Sequence, residues 1–82
     1  MIEPETSVRF LVTVLGADAF DVAFEPEGAL VPLRRGDAFT VEMRGPAGGI
    51  PEISYDPPGL TIGAWAGAST RAWNRAGEEP KL

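Results

Sequence analysis

Histidine and cysteine are both absent from this chain of 82 residues, and their absence decides most of the chemistry that its side chains can perform. Without histidine, the three serines lack the usual general base that activates a nucleophile, and the commonest metal ligand is missing. Without cysteine, neither a thiolate metal site nor a disulfide framework can form. We therefore expect no enzymatic activity, no cofactor and no metal.

Two carboxylates, Asp21 and Glu25, lie on the same side of a segment in which apolar and polar residues alternate. A glycosidase pair needs about 5–10 Å between its carboxyl groups and a cleft that raises one pKa, and a domain of this size has little room for one. A calcium site formed by Asp18, Asp21 and Asp56 lacks the spacing of a calcium loop. We interpret Asp21 and Glu25 as a solvated polar face and as candidate contacts for a basic partner or a cation.

The aromatic residues Tyr55, Trp65 and Trp73 lie in the C-terminal half of the chain. Large side chains most often fill or close a small core, and Trp73 is expected to do so. Trp65 falls out of phase with the alternating apolar residues before it, which predicts that it faces solvent. An exposed Trp65 would be an interface hot spot or, together with Trp73 and Tyr55, a surface on which sugars stack.

Arginines supply the remaining candidate contacts. Arg71 and Arg75 lie close to Trp73 in sequence, and guanidinium groups beside an indole suit an acidic partner through forked hydrogen bonds and stacking. Arg34 and Arg35 fall in a predicted turn with Gly36 and are either a solvated loop tip or further interface contacts.

The elements that must position these residues are short strands. Alternation of apolar residues with period two recurs along the chain, and eight prolines and ten glycines mark the turns between the alternating runs. The pattern predicts an all-β protein, a small antiparallel β-sandwich or a partly open barrel of six to seven strands. Residues 70–76 also fit a single short helix near the C-terminus, although we favour a strand because so short a helix is marginal.

The same pattern makes predictions about pairing and order. A short Gly/Asp loop separates the first two strands, which predicts a hairpin, and the apolar second face of the first strand predicts a central position. Pro32 cannot donate to a ladder, so the third strand is expected at an edge. We expect one domain over residues 1–82, with loosely ordered ends at 1–6 and 78–82.

Charge and hydrophobicity narrow the class of partner. The net charge of −5 disfavours nucleic acid, which requires clustered cations, and no apolar run approaches the roughly 20 residues of a membrane span. The N-terminus lacks the pattern of a signal peptide, so a cytoplasmic protein is expected.

These observations together predict a non-catalytic protein-interaction module, such as an adaptor, an assembly factor or an inhibitor or immunity-type protein. Its partner would be another protein or a second copy of itself in a homodimer. The alternative is a β-sandwich that binds a small ligand or carbohydrate through Trp65, Trp73 and Tyr55.

Overall fold

The computed structural model describes residues 4–16, 19–57 and 59–82 of the chain. Within these ranges the backbone forms seven strands and no helix, so the predicted all-β class is confirmed. The segment that also fitted a short helix is the last strand. In chain order the strands are β1 (Glu5–Thr13), β2 (Ala19–Glu25), β3 (Ala29–Arg34), β4 (Ala38–Pro46), β5 (Glu52–Asp56), β6 (Gly59–Gly63) and β7 (Ser69–Asn74).

The strands form two sheets that pack as a β-sandwich. One sheet has three strands in the order β1-β4-β7, and both of its pairings are antiparallel. The other has four strands in the order β3-β2-β6-β5, in which β2 and β6 run parallel and the remaining neighbours are antiparallel. The sandwich is therefore mostly, but not wholly, antiparallel.

The core lies between the two sheets and is built by the period-two alternation of the strands. In β4, Val41 and Met43 are fully buried, whereas Glu42 between them lies on the opposite side of the sheet. In β2, Val22 and Phe24 are the buried members of the same pattern. One apolar cluster joins the inner faces of both sheets: Val12, Val14, Val22, Phe24, Val31, Leu33, Val41, Met43, Ile62 and Ala72.

The predicted hairpin between the first two strands is wrong, because β1 and β2 belong to different sheets. β1 pairs with β4, and its end is held by the turn between β3 and β4, where Val14 N donates to Asp37 O (3.1 Å) and Gly36 N donates to Val14 O (2.9 Å). β1 is consequently an edge strand and not a central one, and Leu11 on its second face is exposed. Alternation identifies a strand without specifying its neighbour.

The turn chemistry is confirmed at the two ends of β3. The β2–β3 hairpin closes with Gly28 N donating to Phe24 O at 2.7 Å. After β3, Arg34 N donates to a carboxylate oxygen of Asp37 at 2.7 Å, and Gly36 has a φ of 87°, which a glycine adopts without strain. β3 itself is an edge strand and contains Pro32, as predicted.

The C-terminal residues, which were expected to be loosely ordered, make specific contacts. The Asn74 side chain donates to a carboxylate oxygen of Glu78 (3.0 Å) and accepts a hydrogen bond from Glu78 N (2.9 Å). Leu82 is partly buried and packs against the core. At the other end, Pro4 O accepts a hydrogen bond from Ala47 N, which ties the start of β1 to the loop after β4.

No helix long and apolar enough to cross a membrane occurs in the described ranges.

Candidate interaction surfaces

The outer side of the three-stranded sheet carries an arginine-rich row next to a tryptophan. Residues that face each other across neighbouring strands project from the same side of a sheet. The register of β1, β4 and β7 places Arg9, Glu42 and Arg71 in one row, and Leu11, Thr40 and Trp73 in the next. We call this surface the Arg–Trp face and define it as Arg9, Leu11, Thr40, Glu42, Arg44, Arg71 and Trp73.

Trp73 lies at the centre of two cation–π contacts on this face. The guanidinium carbon of Arg9 is 5.4 Å from the centroid of the indole, and that of Arg71 is 5.7 Å away. The expectation that Trp73 is a core residue is therefore wrong. The reason is the phase of β7: Ala72 is 1% exposed and faces the core, so its neighbour Trp73 must project outward.

Ion pairs hold the arginines of the Arg–Trp face in place. Arg9 Nη2 donates to Glu42 Oε2 at 2.6 Å, and this hydrogen bond holds the pKa of Glu42 below its ordinary value. Arg71 forms two bonds to Glu79 in the C-terminal tail (3.1 and 3.0 Å), which lower the pKa of Glu79 and raise that of Arg71. Arg44 lies 3.7 Å from Glu5. These groups lie at the surface, where such pairs stabilise a fold only slightly.

Trp65 occupies a different position from the one that its sequence phase predicts. It is partly buried, packs against the core, and its indole Nε1 donates to Pro46 O at 2.8 Å. A Cβ atom on Gly49 would lie 1.8 Å from the Cδ1 atom of Trp65, so the indole lies directly over that glycine. The prediction of an exposed Trp65 is therefore wrong, because β6 ends at Gly63 and its alternation does not extend to residue 65.

The outer side of the four-stranded sheet has the opposite charge. The register aligns Asp21, Gly59 and Asp56 in one row across β2, β6 and β5. A second row aligns Glu25, Gly63 and Glu52. We call the four carboxylates Asp21, Glu25, Glu52 and Asp56 the acidic face. Among the described residues, none of the ion pairs involves these four groups.

The acidic face keeps Asp21 and Glu25 on one surface, as the alternation of β2 predicts, and adds two carboxylates from β5. In the described part of the chain, no group of three or more potential ligands has a geometry that could hold a metal ion. Asp18, which belonged to the calcium set considered from the sequence, lies outside the described residues. The acidic face is thus a charged surface that would attract cationic side chains.

Tyr55 is highly exposed, and it does not join the tryptophans in a single platform. It lies on β5, in the four-stranded sheet, whereas Trp73 belongs to the outer side of the three-stranded sheet. Trp65 packs against the core beyond the end of β6. The stacking surface considered from the sequence therefore divides into separate parts.

The turn arginines lie apart from the Arg–Trp face. Arg34 ends β3 and Arg35 follows it in the turn, and both are exposed. Arg75, which was expected near Trp73, donates instead from Nη1 to Gly36 O at 2.8 Å, so its side chain reaches the same turn. Arg9 and Glu42, which the sequence did not single out, are brought to Trp73 by the β1–β4 register. The pairing of β1 with β4, which the sequence pattern does not predict, is the information needed to place these two residues beside Trp73.

No protein-family model, no curated protein and no solved structure matches this chain.

Proposed function

We propose that the protein is a non-catalytic interaction module that binds an acidic surface of a partner protein through its Arg–Trp face. The observation that carries the proposal is the position of Trp73 between the guanidinium groups of Arg9 and Arg71 on an open sheet surface. Tryptophan and arginine are the residue types most enriched among those that dominate binding energy at interfaces.

The charges of the Arg–Trp face favour an acidic partner. Three arginines project from this side of the sheet against two glutamates, Glu42 and Glu5, whereas the chain as a whole has a net charge of −5. The carboxylates of Glu5 and Glu79 reach two of these arginines from the margins of the sheet. Because exposed ion pairs are weak, carboxylates of a partner can replace both at little cost.

The side chains of the Arg–Trp face are also preorganised, which favours binding. Its residues lie on strands and not on loops, and the Arg9–Glu42 bond fixes one of the two guanidinium groups beside the indole. Side chains that are already ordered lose less conformational entropy when a partner binds. Adaptor, assembly and inhibitor roles all fit this property, and the cytoplasmic location remains a prediction.

Affinity capture from a lysate of the source organism tests the proposal. The wild-type protein is compared with Trp73→Ala and Arg71→Ala, and Arg34→Ala serves as the matched control because it removes the same charge from the β3–β4 turn. We expect one stoichiometric protein to be retained by the wild type and the control, and to be lost or strongly reduced with both face variants. Retention should weaken as salt rises, since the contacts are charged.

Two results would contradict the proposal. A partner that binds both face variants as well as it binds the wild type would place recognition elsewhere on the molecule. The absence of any retained protein, together with a change of tryptophan fluorescence on adding sugars that Trp73→Ala abolishes, would favour the carbohydrate-binding alternative.

A further inference from the structure

The free edge of β5 is a second candidate surface, and it is independent of the Arg–Trp face. Among the described strands β5 pairs only with β6, so its other side presents unpaired backbone N–H and C=O groups. All five of its residues are exposed. Five residues of strand extend over about 17 Å, enough for a short ladder.

The apolar side chains of β5 lack the cover that the other strands have. Ile53 and Tyr55 face Ile62 and Leu60 of β6 across the ladder and so project towards the core side of the sheet. Nevertheless they are 54% and 71% exposed, because the three-stranded sheet does not extend over β5. A further strand beside β5 would cover this apolar side and bury it.

A groove continues this apolar surface beyond Tyr55. It has a volume of about 300 Å³, and its lining includes Tyr55, Leu60, Phe20 and, just beyond the end of β1, Leu15, which is 82% exposed. The groove therefore adds exposed apolar surface next to Tyr55.

The other edge strands are covered more completely than β5. β3 contains Pro32, which removes a donor from the ladder, and its inward residues Val31 and Leu33 are buried. The inward residues of β1 and β7 are buried or partly buried under the four-stranded sheet. β5 has no proline within it, and the charges that guard its edge are the carboxylates Glu52 and Asp56, which a basic segment would neutralise.

The charges beside the edge identify the occupant. The polar side of β5 carries Glu52 and Asp56, which belong to the acidic face together with two further carboxylates on β2. If two copies paired antiparallel through β5 with Ser54 at the centre, Glu52 of each copy would face Asp56 of the other. Like charges directly opposite each other destabilise a ladder, whereas opposite charges stabilise it.

We propose that β5 accepts an extended segment of a partner protein as an additional antiparallel strand, with apolar residues opposite Ile53 and Tyr55 and basic residues opposite Glu52 and Asp56. The added strand would enlarge the sheet to five strands. Its backbone hydrogen bonds would supply affinity, and its alternating apolar and basic side chains would supply specificity. Nothing in this proposal depends on the Arg–Trp face.

A designed peptide tests the proposal directly. The capped sequence Lys-Val-Thr-Val-Lys places a lysine opposite each carboxylate and a valine opposite each apolar residue of β5. We expect it to shift backbone amide resonances of β5 and β6 of the ¹⁵N-labelled protein, and to protect alternate β5 amides from hydrogen exchange. The same peptide with alternate N-methylated residues cannot form the ladder and should cause no such shifts.

Charge reversal supplies the matched variant. In the double variant Glu52→Lys/Asp56→Lys, affinity for the basic peptide should fall by about tenfold or more, and Glu-Val-Thr-Val-Glu should bind in its place. Circular dichroism and thermal unfolding test whether the variant folds. Trp73→Ala should leave the binding of the basic peptide unchanged. A failure of the β5 proposal and a failure of the Arg–Trp proposal therefore give different experimental results.

Three outcomes would overturn the proposal. The first is no resonance shift at millimolar peptide. The second is a set of shifts spread over acidic residues outside β5 and β6, which would indicate general charge attraction. The third is a dimer in analytical ultracentrifugation that Ile53→Lys abolishes, since a second copy would then occupy the edge.

Discussion

At the scale of single residues, Trp65 stabilises the loop after β4. Its indole packs against the core, bonds to Pro46 O and lies over Gly49, so one side chain contacts both the start and the middle of that loop. Glycine at position 49 lets the backbone approach the ring, because any Cβ there would overlap the Cγ, Cδ1 and Nε1 atoms of the indole.

The Gly49→Ala variant should therefore lower the free energy of unfolding by about 1–3 kcal/mol, the usual cost of overfilling a packed site. It should also shift the tryptophan emission to longer wavelength as the indole moves towards water. Gly16→Ala is the matched control, because a Cβ at Gly16 meets no atom of the described residues within 4 Å. Urea unfolding followed by fluorescence measures both variants, and equal stability of the two would show that the Trp65–Gly49 contact is dispensable.

The two tryptophans show how far the alternation of residues predicts which side chains are buried. Period-two alternation predicts which side of a sheet a residue faces only as far as the strand extends. It is right for Val41 and Met43, which lie within β4, and wrong for Trp65, which lies two residues past the end of β6. Trp73 could have been assigned to the outer face from the phase of Ala72, once residues 70–76 were taken as a strand.

At the scale of strands, the contacts of the Arg–Trp face depend on pairing that no local pattern encodes. The Arg9–Glu42 bond joins residues 33 positions apart, and it exists because β1 pairs with β4 and not with β2. The sequence predicted the strands, the edge position of β3 and the turns around it. It could not choose among neighbours, because every alternating strand offers the same apolar face to each possible partner.

The Arg9–Glu42 ion pair makes the free energy of unfolding depend on pH. Arg9 holds the pKa of Glu42 below its ordinary value of 4.5, so the folded state binds this proton less readily than the unfolded state does. The stabilisation is therefore complete above the unfolded pKa and is lost as the pH falls through the folded pKa. Glu42→Gln should be less stable than the wild type near neutral pH, and the difference should vanish in strong acid.

Unfolding in urea at a series of pH values measures this difference. Glu27→Gln, which makes the same substitution at an exposed position in the turn after β2, is the control for the exchange of a carboxylate for an amide. A Glu42→Gln difference that stayed constant down to strong acid would show that the carboxylate does not stabilise the fold through its charge.

At the scale of the whole molecule, the sandwich separates its charges onto opposite outer faces. The outer side of the three-stranded sheet carries three arginines and two glutamates, and that of the four-stranded sheet carries four carboxylates and Arg34, so each outer side has an excess of one sign. The separation arises because strands adjacent in sequence are distributed between two sheets. The two partners proposed above would therefore occupy separate surfaces and would not compete.

The C-terminal tail completes the fold at the same scale. Leu82 packs against the core and Glu79 pairs with Arg71, so the tail contributes both apolar burial and charge. Leu82→Ser should lower the free energy of unfolding by about 1 kcal/mol, as expected for a partly buried apolar side chain. Glu79→Gln should leave stability nearly unchanged, since its ion pair is exposed.

The comparison of the two tail variants separates a structural tail from a regulatory one. If the tail serves the fold through Leu82, Leu82→Ser unfolds at lower urea, while Glu79→Gln retains the wild-type midpoint and binds an acidic partner more tightly because Arg71 is released. A Leu82→Ser midpoint equal to that of the wild type would instead mean that residues 78–82 add nothing to the core. The Arg71–Glu79 bond would then be the main contact of the tail, and Glu79 would compete with a partner's carboxylate for Arg71.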